Sequence, residues 1–554
     1  MLSLILIWGY ALLVSGILGL AVLSPICRKT GYHLRHPDSV LFAGITVLTV
    51  YAQFFSLFYK VGLAANALLA AGCVVLLITG HRRYREMLLT FCRMIPVWKW
   101  VVWGILFFFM AYGASRGEIH YDTSLYHAQS VHWLESYGIV KGLGNLHNRL
   151  AYNSAAFSLT ALFSFSFLTG QSFHAMSGFL AWILACTCTC IADFWKRRRA
   201  VVSDFLMLVG IYYLTTIYNQ MISPESDYFM NIVVLFILIR WCRLVEAKEG
   251  SVTPYALLCV LGVYAVTLKL SAAMILLLVC KPAVMLLRRK DSRGIFCYLL
   301  LGMVTVLPYL IRNVILSGWL VYPFPAVDLF SVDWKIPAGA ARFDANEIKV
   351  YGRGLTDSTL AGQSFLTWFP DWFTALSGLN KLLVGISFLT VIGTVLWGLW
   401  ICFRKKRTQV DNWLLQATCS ACFLFWLTNA PLIRYGFIFI GLCSAVLLGN
   451  GYVFLQERVQ RFSYPVFLTL LCLFAVWKSV SLGRQINADY RNDYWIFQKD
   501  YDNYPVESYE AGGITFYYPQ SGDRVGYDAF PSSDRKKEVI LRGTTLAEGF
   551  RGSE

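Results

Sequence analysis

The chain has 554 residues, of which 57% are hydrophobic and only 14% are charged. Soluble domains are about 25% charged, and one buried core cannot take up this much apolar surface. With a mean hydropathy of +0.55, these values exclude a soluble enzyme, a disordered scaffold and a single-span receptor. The net charge of +16 would suggest a nucleic-acid partner for a soluble chain, so it must be weighed against the membrane topology.

Apolar runs of about 20 residues, the length of a transmembrane helix, recur along the chain. They predict an all-α polytopic membrane protein with about 14 transmembrane helices, of which the first lacks the features of a cleaved signal peptide. The apolar segment 152–168 is predicted to be an interfacial or re-entrant helix, because a full span there would put the basic residues 196–199 outside. The predicted spans lie near residues 1–24, 39–59, 62–80, 98–115, 172–194, 201–218, 228–245, 254–268, 271–287, 295–311, 381–402, 412–428, 432–450 and 464–481.

Basic residues predict the orientation of these spans, because short cytoplasmic loops are rich in Lys and Arg. The basic loops around residues 28–35, 82–99, 196–199, 288–290 and 404–407 are therefore predicted to be cytoplasmic. Both termini then lie outside, and we expect a multi-pass protein of the bacterial inner (plasma) membrane. The cytoplasmic side takes 26 Lys and Arg with 9 Asp and Glu, and the outer side takes 22 and 23. The positive charge is thus an orientation signal, and no nucleic-acid partner is expected.

This topology divides the chain into five regions. We predict extra N-terminal transmembrane helices over 1–97, a core over 98–311, a large outer loop over 312–380, C-terminal transmembrane helices over 381–481 and a small extracytoplasmic tail domain over 482–554. The core includes a first outer loop at 116–150. The 15 Cys all lie in or beside apolar runs, so no disulfide framework is expected.

Loop 116–150 holds four of the eight His and three acids. Asp122 lies just after a predicted span, where a carboxylate can take a proton from an acceptor hydroxyl or bind a divalent cation. Glu118, His120 and Asp122 alternate, so an extended segment would point all three to one side as metal ligands. The alternative is an ordinary polar loop at the membrane interface.

An amphipathic helix is predicted directly after Asp122. Tyr126, Gln129 and Trp133 follow at helical spacing, which is typical of a short helix lying along the membrane. We predict Tyr126, His127 and Gln129 as substrate contacts.

The loop resembles the first outer loop of the GT-C superfamily, whose members are glycosyltransferases that use polyprenyl-phosphate sugars. The resemblance rests on Asp122, Tyr126 and the turn Gly138-Ile139-Val140-Lys141. Thr123 replaces the second acid of the family pattern. The resemblance implies a GT-C-like fold and Asp122 as the catalytic base.

Cations at predicted outer ends of spans are candidate phosphate ligands. Lys269 lies between two apolar segments, and a charge within the membrane is costly and so indicates a function. Arg312 and Arg434 are candidates because the guanidinium group of Arg suits bidentate phosphate contact. In the resemblance, Lys269 faces the carrier phosphate and the pair Arg434-Tyr435 matches a late Arg-Tyr motif, so Tyr435 is a predicted substrate contact. The alternative for each cation is anchoring at the interface.

The second outer loop carries two more acids, Glu225 and Asp227. In several GT-C branches this loop supplies an acid to a metal or an acceptor. By that resemblance Glu225 is a predicted substrate contact and Asp227 a predicted ligand of a divalent metal ion. Solvated loop charges are the alternative.

These observations favour a glycosyltransferase that moves a sugar from a polyprenyl-(pyro)phosphate donor to a glycan, lipid or protein acceptor at the outer face. An O-antigen or capsule polymerase or ligase is the first alternative, since it would use the same donors. A transporter or flippase of lipid-linked glycans is the second, although it should show internal repeats and polar residues in the middle of spans. The chain also resembles a family of uncharacterised polytopic bacterial membrane proteins.

Overall fold

The structure is a computed structural model that describes residues 1–404, 409–489 and 493–552. Within these residues the chain is mostly helical, with one β-hairpin near the C-terminus. The predicted cytoplasmic residues 405–407 lie outside the described residues.

Four long helices form the N-terminal part of the bundle. They are α1 (Leu2–Thr30), α2 (Pro37–Phe55), α3 (Leu63–Met94) and α4 (Val97–Ala114). Helices α1 and α2 pack backbone to backbone, because a Cβ atom on Gly19 would lie 2.0 Å from the Val40 carbonyl oxygen and one on Gly44 would lie 1.8 Å from that of Ser15. Small residues at such contacts are a common way for membrane helices to associate.

Short helices follow α4. They are a π-helical turn (Thr123–His127), α5 (Ala128–Ser136), α6 (Leu143–Leu146), a 3-10 helix (Asn148–Ala151), α7 (Ala155–Leu162) and α8 (Ser166–Thr169). Helix α7 is fully buried, and its eight residues extend only about 12 Å. It is therefore too short to cross the roughly 30 Å hydrocarbon core of a bilayer.

The central helices run from residue 176 to residue 317. They are α9 (Met176–Cys188), a 3-10 helix (Thr189–Ala192), α10 (Asp193–Arg197), α11 (Val202–Thr216), α12 (Ser226–Glu246), α13 (Val252–Leu268), a 3-10 helix (Leu270–Val279), α14 (Cys280–Arg289) and α15 (Ser292–Ser317). Helix α12 is buried from Ser226 to Cys242 and so forms the centre of the bundle.

The rest of the helical part comprises one 3-10 helix, two shorter α-helices and four long ones. They are α16 (Ala338–Gly352), a 3-10 helix (Ser358–Gly362), α17 (Phe365–Ala375), α18 (Gly378–Arg404), α19 (Val410–Asn429), α20 (Ile433–Arg458) and α21 (Gln460–Asp489). Helix α20 packs against α11, α18 and α19, which brings its first turn beside the central helices.

Eleven helical segments in the described residues are long and apolar enough to cross a membrane, so the chain is a multi-pass membrane protein in contact with lipid. They correspond to eleven of the fourteen predicted spans. The other three predictions coincide with α11 and α13, which are apolar but shorter than 18 residues, and with α19. The number fourteen therefore stays a prediction.

The tail, residues 482–554, contains strands β1 (Val506–Ala511) and β2 (Ile514–Pro519), paired antiparallel with Val506 opposite Pro519. A 3-10 helix (Leu546–Glu548) follows. Apolar side chains of the tail, such as Phe516 and Phe550, share one buried cluster with Trp133 and Leu150 of the region after α4. The tail and loop 116–150 thus have a common core.

The two ends of the bundle differ in charge. Arg28, Arg93, Arg243, Arg289 and Arg458 lie in the last turns of their helices. Loop 116–150 and the tail lie at the opposite end. Because α12 begins at that opposite end and finishes among the basic residues, these basic helix ends lie at the end of the bundle remote from loop 116–150.

Candidate functional site

Four helix ends meet at the end of the bundle that carries loop 116–150. Asp122 precedes the π-helical turn, Glu225 precedes α12, Lys269 links α13 to the 3-10 helix that follows, and Arg434 lies in the first turn of α20. Proline residues at positions 224 and 431 help to end the preceding segments, because proline disfavours helix at the residue before it. We call His120, Asp122, Glu225, Asp227, Lys269 and Arg434 the charged cluster.

Arg434 joins the two sides of the charged cluster. Its Nη2 donates to Asp122 Oδ2 at 2.7 Å, and its Nη1 contacts His120 Nε2. Nη2 also lies 3.3 Å from the hydroxyl of Tyr435. The guanidinium thus holds loop 116–150 against α20 through charge-assisted contacts.

Glu225 lies beneath this contact and faces two histidines. Its Oε2 lies 2.9 Å from His120 Nδ1 and 3.6 Å from His127 Nδ1. Burial lowers the pKa of His120, but the Glu225 carboxylate overcomes this effect and holds it above the ordinary value. Burial lowers the pKa of His127 to about 4, so the pKa values of the two histidines beside Glu225 shift in opposite directions.

The pKa of Glu225 shows the same balance from the acid's side. Burial raises it, but His127, His120 and Arg434 overcome this effect and hold it below the ordinary value. The direction of this shift favours the carboxylate form of Glu225 beneath the site.

Lys269 pairs with Asp227, the first acid within α12. The ammonium group also lies 4.0 Å from the centre of the Tyr435 ring, and the Arg434 guanidinium lies 5.0 Å from the same centre. Both cations therefore face one tyrosine, a favourable cation–π arrangement. Asp122, Lys269 and Arg434, predicted separately from distant parts of the sequence, converge.

The charged cluster has a buried floor and an accessible rim. The side chains of Glu225 and Asp227 are 2% and 1% exposed, whereas those of Asp122, Lys269 and Arg434 are 17%, 26% and 27% exposed. Buried anions beneath two accessible cations keep the cations in place. A phosphate arriving from the open side would therefore find two positive groups already oriented.

Other predicted residues lie around the charged cluster. Tyr126 is half-buried, and its ring lies 4.2 Å from that of His127 and 5.6 Å from that of Tyr152. It extends the site from the charged cluster towards the 3-10 helix Asn148–Ala151.

Arg312 is fixed by neighbours other than the cluster acids. It is 4% exposed, its Nε donates to Asn153 Oδ1 at 2.9 Å, and its Nη1 donates to the Ser56 hydroxyl. Ser154, which follows Asn153 in the chain, donates a hydrogen bond from its hydroxyl to the Leu268 carbonyl at 2.8 Å. Arg312 is thus linked to Lys269 through the backbone of residues 153–154, and its phosphate-binding role stays a prediction.

Gln129 contacts the tail. Its amide donates to the carbonyl oxygens of Gly526, Tyr527 and Ala529 at 3.0–3.2 Å. These contacts are structural ones, and they make the tail part of the wall around loop 116–150.

The predicted metal ligands separate into two groups. Within the described residues, one set of three potential ligand atoms lies within 4.8 Å of one another, from His120, Asp122 and Glu225. Glu118 is outside this set, and its backbone N–H donates to the Asn219 carbonyl. Asp227 is paired with Lys269 instead. A nitrogen and two carboxylates are a suitable ligand set for a divalent cation, but the Arg434 guanidinium lies against two of these three groups.

Arg149 is a residue that the sequence reasoning did not single out. It lies in the 3-10 helix beside Tyr152, and its Nη1 is 3.8 Å from Asp523 of the tail. Burial lowers its pKa, but the nearby Tyr152 and Tyr126, and then Asp122 and Asp523, overcome this effect and hold it above the ordinary value. Loop 116–150 carries three basic and three acidic residues, so its sequence alone does not distinguish Arg149.

Comparison with protein families matches residues 1–441 to a domain of unknown function, DUF8201. The match includes every residue of the charged cluster and ends before the tail. No curated protein and no solved structure matches the chain. The protein belongs to the DUF8201 family.

Proposed function

We propose that the protein is a glycosyltransferase of the bacterial inner membrane that takes a sugar from a polyprenyl-(pyro)phosphate donor at the outer face. The main support for this proposal is that Asp122, Lys269 and Arg434 converge at one end of a membrane helix bundle. An acid beside two accessible cations suits transfer away from a phosphate leaving group, because the cations stabilise the charge that develops there.

The proposed reaction uses these groups as follows. The acceptor oxygen bonds to the anomeric carbon, and the bond from that carbon to the phosphate oxygen breaks. The acceptor proton passes to Asp122, and the phosphate leaves with the bonding electrons, held by Arg434 and Lys269. Asp122 uses Oδ2 to bind Arg434, and in the described part of the chain Oδ1 has no partner, so it can face the acceptor hydroxyl.

The location of the charges favours transfer over transport. All members of the charged cluster lie at or beside helix ends, whereas transporters bind their substrates near the middle of the membrane. An O-antigen or capsule polymerase or ligase would use the same donor chemistry. The identity of the acceptor glycan distinguishes such an enzyme from a transferase that adds a single sugar.

A divalent ion on His120, Asp122 and Glu225 is the alternative source of positive charge. The Arg434 guanidinium competes with such an ion for Asp122, so we expect transfer to survive removal of divalent ions by chelation. Loss of transfer on chelation and its return with added Mg²⁺ or Mn²⁺ would replace Arg434 by a metal in this role.

The proposal is tested by Asp122→Asn in proteoliposomes with radiolabelled lipid-linked sugar and a cell-envelope acceptor fraction. We expect transfer to fall by roughly 100-fold or more, as for loss of a general base, with membrane insertion and thermal stability retained. Asp328→Asn is the matched control, because Asp328 is an exposed acid of the same end, paired only with Lys335 among the described ion pairs. Full activity in Asp122→Asn would exclude Asp122 as the base.

A further inference from the structure

Arg149, in the 3-10 helix Asn148–Ala151, leaves the hydrogen-bonding capacity of its guanidinium largely unused. In the part of the chain that the structure describes, its guanidinium has one ion-pair partner, Asp523, at 3.8 Å. That distance is too long for a hydrogen bond. The side chain is 34% exposed, so its N–H groups are open to a ligand from solvent.

The position of Arg149 connects it to the charged cluster. The ring of Tyr126 lies between His127 on one side and Tyr152 on the other, and Tyr152 follows the short helix that carries Arg149. Arg149 is therefore connected to the charged cluster through the ring contacts of Tyr152, Tyr126 and His127.

The partner of Arg149 is a weakly held anion that the tail supplies. Asp523 accepts a hydrogen bond from the Tyr121 hydroxyl, and its side chain is 41% exposed. The tail fixes this position through the N–H groups of Val525 and Gly526, which donate to the Ser124 carbonyl at 3.1 and 2.9 Å. Asp523 thus occupies the place beside Arg149 that a substrate anion would take.

We infer that Arg149 binds the second phosphate of a polyprenyl diphosphate-linked donor, and that Asp523 is the resting anion which this phosphate displaces. The inference rests on the proposed function and names its donor class. Arg434 and Lys269 hold the phosphate nearest the sugar, and Arg149 supplies the fork of donors that matches the outer phosphate.

The test compares two probes of equal chain length, a polyprenyl monophosphate and a polyprenyl diphosphate, in binding to the full-length protein in nanodiscs. Wild-type protein should bind the diphosphate on the order of tenfold more tightly, the difference of one good charge-assisted contact. Arg149→Ala should remove this preference and leave monophosphate binding unchanged, and Arg149→Lys should keep part of it.

Asp523→Asn should change diphosphate affinity in the opposite direction to Arg149→Ala. Removing the competing anion should tighten diphosphate binding several-fold, whereas a purely structural role of the pair would predict loss of binding in both variants. Arg535→Ala is the matched control, because Arg535 is an 80% exposed tail residue in a similar pair with Asp534 at 3.7 Å.

The outcomes separate the two proposals. If Arg149→Ala keeps the wild-type preference, or if Asp523→Asn weakens diphosphate binding, the role of Arg149 is wrong and the proposed transferase is untouched. If wild-type protein binds neither lipid, the proposed function itself fails. If Arg149→Ala also lowers the thermal stability, its binding data alone are ambiguous. Asp523→Asn then decides the question, because this variant keeps Arg149 and removes only the competing anion.

Discussion

Each charged residue of the site is neutralised by a partner from a distant part of the chain. Lys269 and Asp227 are 42 residues apart, and Arg434 and Asp122 are 312 residues apart. A buried ion pair contributes little net stability, but breaking it by removing one partner leaves an uncompensated charge. The residues of the charged cluster should therefore affect stability and activity in separable ways.

Lys269→Met should destabilise the protein, because Asp227 is 1% exposed and would keep a buried charge without a partner. The expected loss is about 3–5 kcal/mol. The double variant Lys269→Met/Asp227→Asn should recover most of the stability and remain inactive. Unfolding of all three proteins in detergent checks this; equal destabilisation in the single and the double variant would contradict it.

His120 predicts a pH dependence of stability. Because its pKa is raised in the folded protein, the stability it contributes is fully present below pH 6.5 and is lost as the pH rises through the folded value. The thermal unfolding midpoint should fall as the pH rises above 6.5, and His120→Gln should flatten the dependence of this midpoint on pH. His81→Gln, at an exposed position, should leave the curve unchanged. An unaltered curve in His120→Gln would assign the dependence to another group.

At the scale of elements, the contact between α5 and the tail is the least expected feature of the fold. His132 of α5 stacks between Tyr527 and Phe530 of the tail, with ring centres 4.3 and 4.0 Å apart. Glu135 of the same helix accepts hydrogen bonds from the Tyr527 and Ser172 hydroxyls. The tail is thus held by both polar and aromatic contacts with one short helix.

Gln129→Ala should loosen this contact. Gln129 is 1% exposed and serves three carbonyl groups, which would lose their donor at a cost of about 1–3 kcal/mol. We expect faster proteolysis of the tail and slower sugar transfer. Gln520→Ala, at an exposed tail position, is the control. A tail that stays equally resistant in both variants would contradict this role for Gln129.

The elements also show what could be predicted from the sequence. The long apolar helices could, because a 20-residue apolar run leaves few alternatives in a membrane. Asp122, Lys269 and Arg434 could as well, since charges at the ends of such runs are conspicuous. Arg149 and the docking of the tail could not, because they depend on pairings between distant segments that no local pattern records.

For the molecule as a whole, charge distribution predicts how it lies in the membrane. The basic helix ends and the charged cluster are at opposite ends of the bundle, and Lys and Arg predominate on the cytoplasmic side of bacterial inner-membrane proteins. The tail and the site should then both face outwards. In this orientation the site would face the side of the membrane on which the proposed donor is displayed.

Lys536→Cys tests the orientation. Residue 536 is exposed in the tail, so a membrane-impermeant maleimide should label the variant in intact spheroplasts above the level of the wild-type protein. The exposed Cys92, at the basic end of α3, should be labelled only after permeabilisation. Labelling of residue 536 only after permeabilisation would reverse the topology.

The common core of the tail and loop 116–150 has a consequence for the making of the protein. Gln129 and its tail partner Gly526 are 397 residues apart, so loop 116–150 leaves the ribosome long before the segment that completes its core. The tail can complete the wall around loop 116–150 only after it has reached the same side of the membrane as that loop. Chains truncated before the tail would therefore carry the residues of the charged cluster without the tail contacts around loop 116–150.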